Sequence, residues 1–135
     1  MTTILYRDDH KVDVEQLARL RGEVGWAALE RDVLTAQLVG SRWVVSAWDG
    51  ARLIGVVRAI SDGVTNAYVC GLVVDEHYRR RGIGTELIQR LVTGREEIRW
   101  ILHAAEDAAR LYSRLGFLPA ENMMRRDRKP VRSRA

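Results

Sequence analysis

The chain has one cysteine, two prolines and three histidines in 135 residues. Cys70 alone cannot close an internal disulfide, and the scattered His10, His77 and His103 make no metal-ligand spacing, so no metal is expected. Two prolines leave no basis for a long disordered linker. No apolar run approaches the roughly 20 residues that cross a bilayer. The segment from Met1 to Arg7 lacks the basic and apolar regions of a signal peptide, so no membrane partner and a cytoplasmic location are expected.

What is present is ordinary for a folded protein: 47% hydrophobic and 30% charged residues. The length suits one core, because domains typically hold roughly 100 to 150 residues. Residues 1-135 are therefore read as a single domain. The net charge of +4 sits largely in two clusters. One is Arg79 to Arg81; the other runs from Arg125 to Arg134. The stretch at about 129-135 reads as a solvated, frayed basic tail, and nucleic acid as a partner has no support beyond it.

Periodicity sets out the elements. Thr3 to Arg7 suits a short strand, and Val14, Leu17, Ala18 and Leu20 a helix that Gly22 and Gly25 interrupt. A second helix is expected after Trp26, with Ala27, Leu29, Val33, Leu34, Leu38 and Val39 on its spacing and Gly40 as its stop. Trp43 to Trp48 and Leu53 to Ile60 read as antiparallel strands across the turn Asp49-Gly50-Ala51-Arg52. Ala67 to Val74, almost wholly apolar, suits a strand covered on both faces. A helix carries Leu87, Ile88, Leu91 and Val92, Ile98 to His103 is a strand, and Ala108, Leu111, Tyr112 and Leu115 form a helix closed by Gly116. Met123 and Met124 are expected in a last short strand. The order is βααβββαβαβ, an α/β (α+β) arrangement.

The chemistry concentrates where the buried strand meets Arg79-Arg80-Arg81-Gly82-Ile83-Gly84 and a helix start. The first N–H groups of a helix have no intrahelical partner, and they lie at the positive end of its dipole, so they can hold phosphate. Gly82 and Gly84 allow close backbone approach, and Thr85 can add a hydroxyl donor. A dinucleotide fingerprint is excluded because residue 87 is Leu, not the third glycine, and no Gly-Lys-Ser or Gly-Lys-Thr makes a Walker A loop. On these residues alone an ordinary turn flanked by surface arginines stays open.

The run from Val73 to Gly84 resembles the acetyl-CoA signature of the GNAT acetyltransferases, with Arg79, Gly82 and Gly84 on its defining positions. Ala109-Arg110-Leu111-Tyr112-Ser113-Arg114-Leu115-Gly116-Phe117 is similar to that superfamily's final helix, which ends in Leu-Gly-Phe. Val24-Gly25-Trp26, Asn66-Ala67 and Met123-Met124 are similar to plastid-type serotonin N-acetyltransferases and their bacterial relatives. In that subgroup an acid commonly stands where Gly71 is here, so no general base is carried over.

The resemblance implies a GNAT fold, a mixed sheet flanked by helices, and transfer of acetyl from acetyl-CoA, a cosubstrate, to a primary amine through a tetrahedral intermediate. It implies that Leu72, Val73 and Val74 hold the pantetheine arm and the oxyanion, and that Arg79, Arg80, Arg81, Gly82, Ile83, Gly84 and Thr85 hold the pyrophosphate. Tyr112 is implied as the acid that protonates the departing thiolate, and Trp26 as part of the acceptor site. Asp62, Glu30 and His103 are base candidates by residue type only. Cys70 reads as packing on an apolar strand. A small-molecule amine is the expected acceptor, with protein lysines or N-termini as the alternative within the class. A non-catalytic acyl-CoA sensor is the alternative outside it, and a homodimer follows from the resemblance alone.

Overall fold

A computed structural model of the chain describes residues 3–129. Five strands, β1 (Ile4–Arg7), β2 (Trp43–Asp49), β3 (Arg52–Ser61), β4 (Asn66–Val74) and β5 (Arg99–Leu102), form one sheet in the order β1-β2-β3-β4-β5. The first three pairings are antiparallel, and β4 with β5 is parallel. That parallel pair needs a crossover, which α3 (Ile83–Val92) supplies. The helices α1 (Val14–Glu23), α2 (Arg31–Gly40) and α4 (Ala109–Arg114) complete the regular structure.

The sheet is covered on both faces. Leu17, Leu20, Leu34 and Leu38 of α1 and α2 pack on Val44, Trp48, Leu53, Val56 and Val73. On the other face Ile83, Leu87, Ile88 and Leu91 of α3 meet Val45, Ala47, Ile54, Val57 and Val69, with Tyr112 of α4 in the same cluster. Alternate residues of one strand thus serve two different cores, which is why β2, β3 and β4 read as continuous apolar runs. Gly55 lets α3 come close, since a Cβ there would lie 3.1 Å from Leu87 Cδ1 and 3.3 Å from Ile83 Cγ2.

The helix starts follow local chemistry unevenly. Asp13 caps α1 by accepting from the Glu15 N–H at 2.9 Å. α1 continues through Gly22 to Glu23, so Gly22 does not interrupt it, and the turn comes at Gly25 with φ +83°. α2 begins only at Arg31, later than expected: residues 27–30 run without helical structure, and Arg21 Nη2 donates to the Ala27 carbonyl at 3.1 Å. Trp26 therefore stands in the α1–α2 connection.

The expected last strand is not formed. Residues 117–129 contain no strand, Met124 is 97% exposed, and the element order among the described residues ends at α4. Two methionines followed by Arg125, Arg126, Arg128 and Lys129 present too little apolar surface to hold an edge strand against a four-residue β5. Of the basic tail at about 129-135, all but Lys129 lies outside the described residues.

Candidate active site

Two features of β4 open the sheet. Its pairing with β5 covers only Asn66 to Val69, so from Cys70 onward the β5 side of the strand has no strand partner among the described residues. Gly71 has φ +71°, a left-handed conformation inside a strand, and the β3–β4 register shifts between Val56 and Arg58. A bulge at this place twists the end of the strand, while Val73 and Val74 stay paired to β3. The segment Gly71 to Val74 thus offers backbone N–H and C=O groups along one edge, suited to an extended chain that pairs as an added strand.

Directly after this segment the chain is tied down by a residue that composition and spacing did not single out. Asp75 is fully buried, its N–H donates to the Ile54 carbonyl at 2.8 Å, and its carboxylate accepts from the His77 N–H at 2.9 Å. Arg52 lies 3.1 Å and Arg19 3.8 Å from the same carboxylate. Burial alone pushes this carboxyl up, but the His77 N–H and Arg52 outweigh it and hold the group below the ordinary carboxylate range. Tyr78, at the end of the short 3-10 turn Glu76–Tyr78, donates its hydroxyl to Asp49.

The arginine and glycine run hangs from these anchors. Arg80 has φ +65° and Gly82 φ +73°, two left-handed residues that turn the chain into the first turn of α3. Only glycine takes such a conformation freely, so Arg80 carries local strain of about 1–3 kcal/mol, a cost that clusters at binding loops. Arg79, Arg80 and Arg81 are exposed, and none is in an ion pair among the described residues. The Arg81 guanidinium lies 5.1 Å from the Tyr78 ring centroid. Gly84 brings the start of α3 against the end of β4: a Cβ there would be 3.8 Å from Val74 Cγ2 and from Leu111 Cδ1 of α4. Ile83 is buried, and Thr85 sits half-buried in the same turn.

Tyr112 joins this region from the α3 side. It is 8% exposed, packs in the cluster that Leu72, Val74 and Tyr78 border, and makes an edge contact with Phe117 at 5.7 Å between centroids. Burial pushes its hydroxyl pKa up, so the group keeps its proton at and well above neutrality.

On the opposite face a small cleft lies between the helices and the bulge, lined in part by Arg21, Trp26, Gln37, Val56, Arg58 and Gly71. Trp26 is 37% exposed with the Arg21 guanidinium 5.0 Å from its ring centroid. Arg58 Nη1 donates to Ser41 Oγ at 3.3 Å, and Ser41 passes the bond on to the Gln37 carbonyl at 2.6 Å. No Asp or Glu lines this cleft.

The three base candidates are elsewhere. Asp62 holds its own turn, accepting from the N–H groups of Val64 and Thr65 at 2.8 Å each, and with the Thr65 hydroxyl these bonds hold its carboxyl far below the usual range. Glu30 is exposed at the start of α2, and His103 is exposed just beyond β5. Cys70 is half-buried, and burial raises its thiol pKa. A thiol so placed is mostly protonated and a poor nucleophile at neutral pH. Spacing does not point to Arg21, Arg58 or Asp75: Arg58 meets Ser41 and Asp75 meets Arg52 only once the chain is folded, and Arg21 turns to Trp26 and Ala27 beyond the end of its helix.

Comparison with known proteins agrees with this arrangement. The family model described as the acetyltransferase (GNAT) family matches residues 11–117. The chain belongs to the GNAT acetyltransferase family, and the sheet opened beside a glycine turn is the GNAT fold. It is 31% identical over 128 residues to the histone acetyltransferase TAP1 of Glycine max, covering 84% of this chain and 55% of that protein. It is 28% identical to the chloroplastic GCN5-related N-acetyltransferase 2 of Arabidopsis thaliana, covering 84% and 53%. The chain thus spans about half the length of these curated relatives. Among solved structures, a GNAT family acetyltransferase of Streptococcus pneumoniae superposes with a TM-score of 0.76 at 24% identity, over 94% of this chain and all of that one. Arabidopsis thaliana NAA60, solved with a bisubstrate analogue, gives 0.71 at 27% identity over 88% and 86%.

Proposed function

We propose that residues 1-135 form a single catalytic domain that transfers the acetyl group of acetyl-CoA to a primary amine of a small molecule. The observation that carries this is the end of β4: a strand edge free from Cys70 to Val74, ending against the first turn of α3. Leu72, Val73 and Val74 would pair with the pantetheine arm, and a backbone N–H there would hold the oxyanion, a donor worth roughly 3–4 kcal/mol. The unpaired guanidinium groups of Arg79, Arg80 and Arg81, with the amides of Gly82, Ile83 and Gly84 and the Thr85 hydroxyl, suit the pyrophosphate.

In the reaction the amine nitrogen bonds to the thioester carbonyl carbon, the carbon–sulfur bond breaks, and Tyr112 gives its proton to the departing sulfur. No carboxylate lines the cleft among the described residues, so the proton lost by the nitrogen leaves through water, and water returns a proton to Tyr112. Trp26 forms the outer wall of the acceptor site. A cytoplasmic location and a homodimer belong to the same reading. The relatives' names include a histone acetyltransferase, so a peptide lysine is the alternative acceptor within the same chemistry.

The test is acetyl-CoA with a panel of amines, following thiol release and the mass of the product. Amine-dependent release with one acetyl added supports the reading. Tight coenzyme binding with no release for any amine or peptide supports an acyl-CoA sensor and overturns it.

A further inference from the structure

The cleft opposite the proposed coenzyme edge has a volume of about 20 Å³, room for an anionic head group while the rest of a ligand stays outside, and it holds two arginines and, among the described residues, no acid. Arg21 reaches it from α1 and Arg58 from β3. Arg21 Nε is shielded from solvent and has no hydrogen-bond partner, the only such side-chain atom among the described residues. Neither arginine is in an ion pair there, although Arg19 and Arg52 nearby are both matched by Glu23 and Asp75. Among the described residues the Arg58 guanidinium has one hydrogen bond, to the Ser41 hydroxyl at 3.3 Å. At Gly71 a Cβ would stand 3.3 Å from Arg58 Nε, so the absent side chain leaves that guanidinium lying over bare backbone at the bulge.

Arg21 is half-buried and its Nη2 donates to the Ala27 carbonyl at 3.1 Å, so its Nε and its charge are what stay unmatched. A charge partly taken from water without a counter-ion is costly, and an incoming anion offsets that cost. The planar fork of guanidinium fits a carboxylate with two parallel hydrogen bonds. Resting on the acetyltransferase reading above, we infer that the acceptor is a small amino acid whose carboxylate pairs with Arg21 and Arg58 while its amine faces the open end of β4. The two cations also favour the neutral amine, because a positive charge nearby disfavours the protonated form. Burial and the neighbouring Arg58 lower the Arg21 pKa, in keeping with two unneutralised like charges sharing one cleft.

The test compares matched acceptors that differ only at the carboxylate: phenylalanine, its carboxamide and phenethylamine, and lysine against cadaverine. The expected result is a kcat/KM at least tenfold higher for the acids, with the ratio of acid to carboxamide collapsing toward one in Arg58→Gln and Arg21→Gln. Arg58→Lys and Arg21→Lys, which keep the charge and lose the planar fork, lower the same ratio less than the glutamine variants and serve if either of those fails to fold. Equal or better use of the uncharged partners, or acetylation of peptides alone, overturns the inference while leaving acetyl transfer standing. If no amine turns over, the transfer reading fails, and calorimetry on the CoA complex still decides the anion site. Phenylalanine binding that is lost in Arg58→Gln supports it, and binding no tighter than that of phenethylamine overturns it.

Discussion

The two sides of β4's open end are built from different materials. The proposed coenzyme side is mostly backbone: a strand edge unpaired among the described residues, two left-handed residues and a helix start, with exposed arginines around them. The proposed acceptor side is mostly side chain: Arg21 of α1, Trp26 of the α1–α2 connection and Arg58 of β3 share a cleft with Gly71 of the bulge. A backbone site recognises what every reaction of the family shares, while a side-chain site can be changed without disturbing it. The comparison predicts that substitutions on one side move coenzyme binding and those on the other move acceptor choice.

The largest expected effect tests the backbone side. Gly82→Val puts a β-branched residue at φ +73° where a Cβ meets nothing within 4 Å, so the damage comes from conformation and from blocked phosphate approach, not from a clash. Acetyl-CoA affinity is expected to fall on the order of a hundredfold. Gly94, with φ +83° and equally open space, lies beyond the other end of α3. Gly94→Val should cost similar stability and leave coenzyme affinity unchanged by calorimetry. Equal losses in the two variants would break the distinction between a turn that binds and a turn that only folds.

Tyr112→Phe comes next. A thiol pKa near 8.5 makes thiolate a fair leaving group unaided, so turnover should fall on the order of tenfold to a hundredfold, with acetyl-CoA affinity little changed. Because burial raises the hydroxyl pKa, the wild-type rate should show no loss from this group between pH 6 and 9. An unchanged kcat in the variant across that range removes Tyr112 from the chemistry.

Asp75→Asn tests the anchor between the two sides. The carboxylate is buried, but Arg52 and Arg19 can turn to water, so the expected cost is about 2 kcal/mol in thermal or urea unfolding. The folded pKa lies below the unfolded one, so this stability is fully present above about pH 4 and is lost as pH falls through the folded value. The difference between wild type and variant should narrow in acid. A constant difference from pH 7 to pH 3 would place the loss in packing instead.

The same division explains what could be read from the residues in order. The apolar runs of β2 to β4, the α3 stripe and the glycine turn are local signals, whereas the coenzyme roles proposed for the turn and for Tyr112 rest on the two family-like motifs. The proposed acceptor side depends on Arg21 and Arg58 lining one cleft on the same face of the sheet, and on a bulge that a lone Gly71 only hints at. Asp75 looked like one more polar residue after a strand, because its role comes from Arg19 and Arg52 rather than from spacing. No strand forms at Met123 and Met124 because two apolar side chains beside four basic ones have no surface to cover them.

Trp26→Ala carries the smallest effect and divides the two sides most finely. The ring lies in the connection rather than in a helix, is partly exposed, and touches the cleft through its contact with Arg21. A cation over an aromatic face contributes about 0.5–2 kcal/mol, more as water is excluded, so its loss frees Arg21 and removes an apolar wall together. The acceptor KM should therefore rise about threefold to tenfold, while kcat changes little and acetyl-CoA affinity stays as it was. Trp26→Phe keeps a ring for Arg21 and should recover most of the loss. If the alanine variant instead weakens acetyl-CoA with no change in acceptor KM, the wall belongs to the coenzyme side, and the two sides share a surface that the β4 edge was taken to separate.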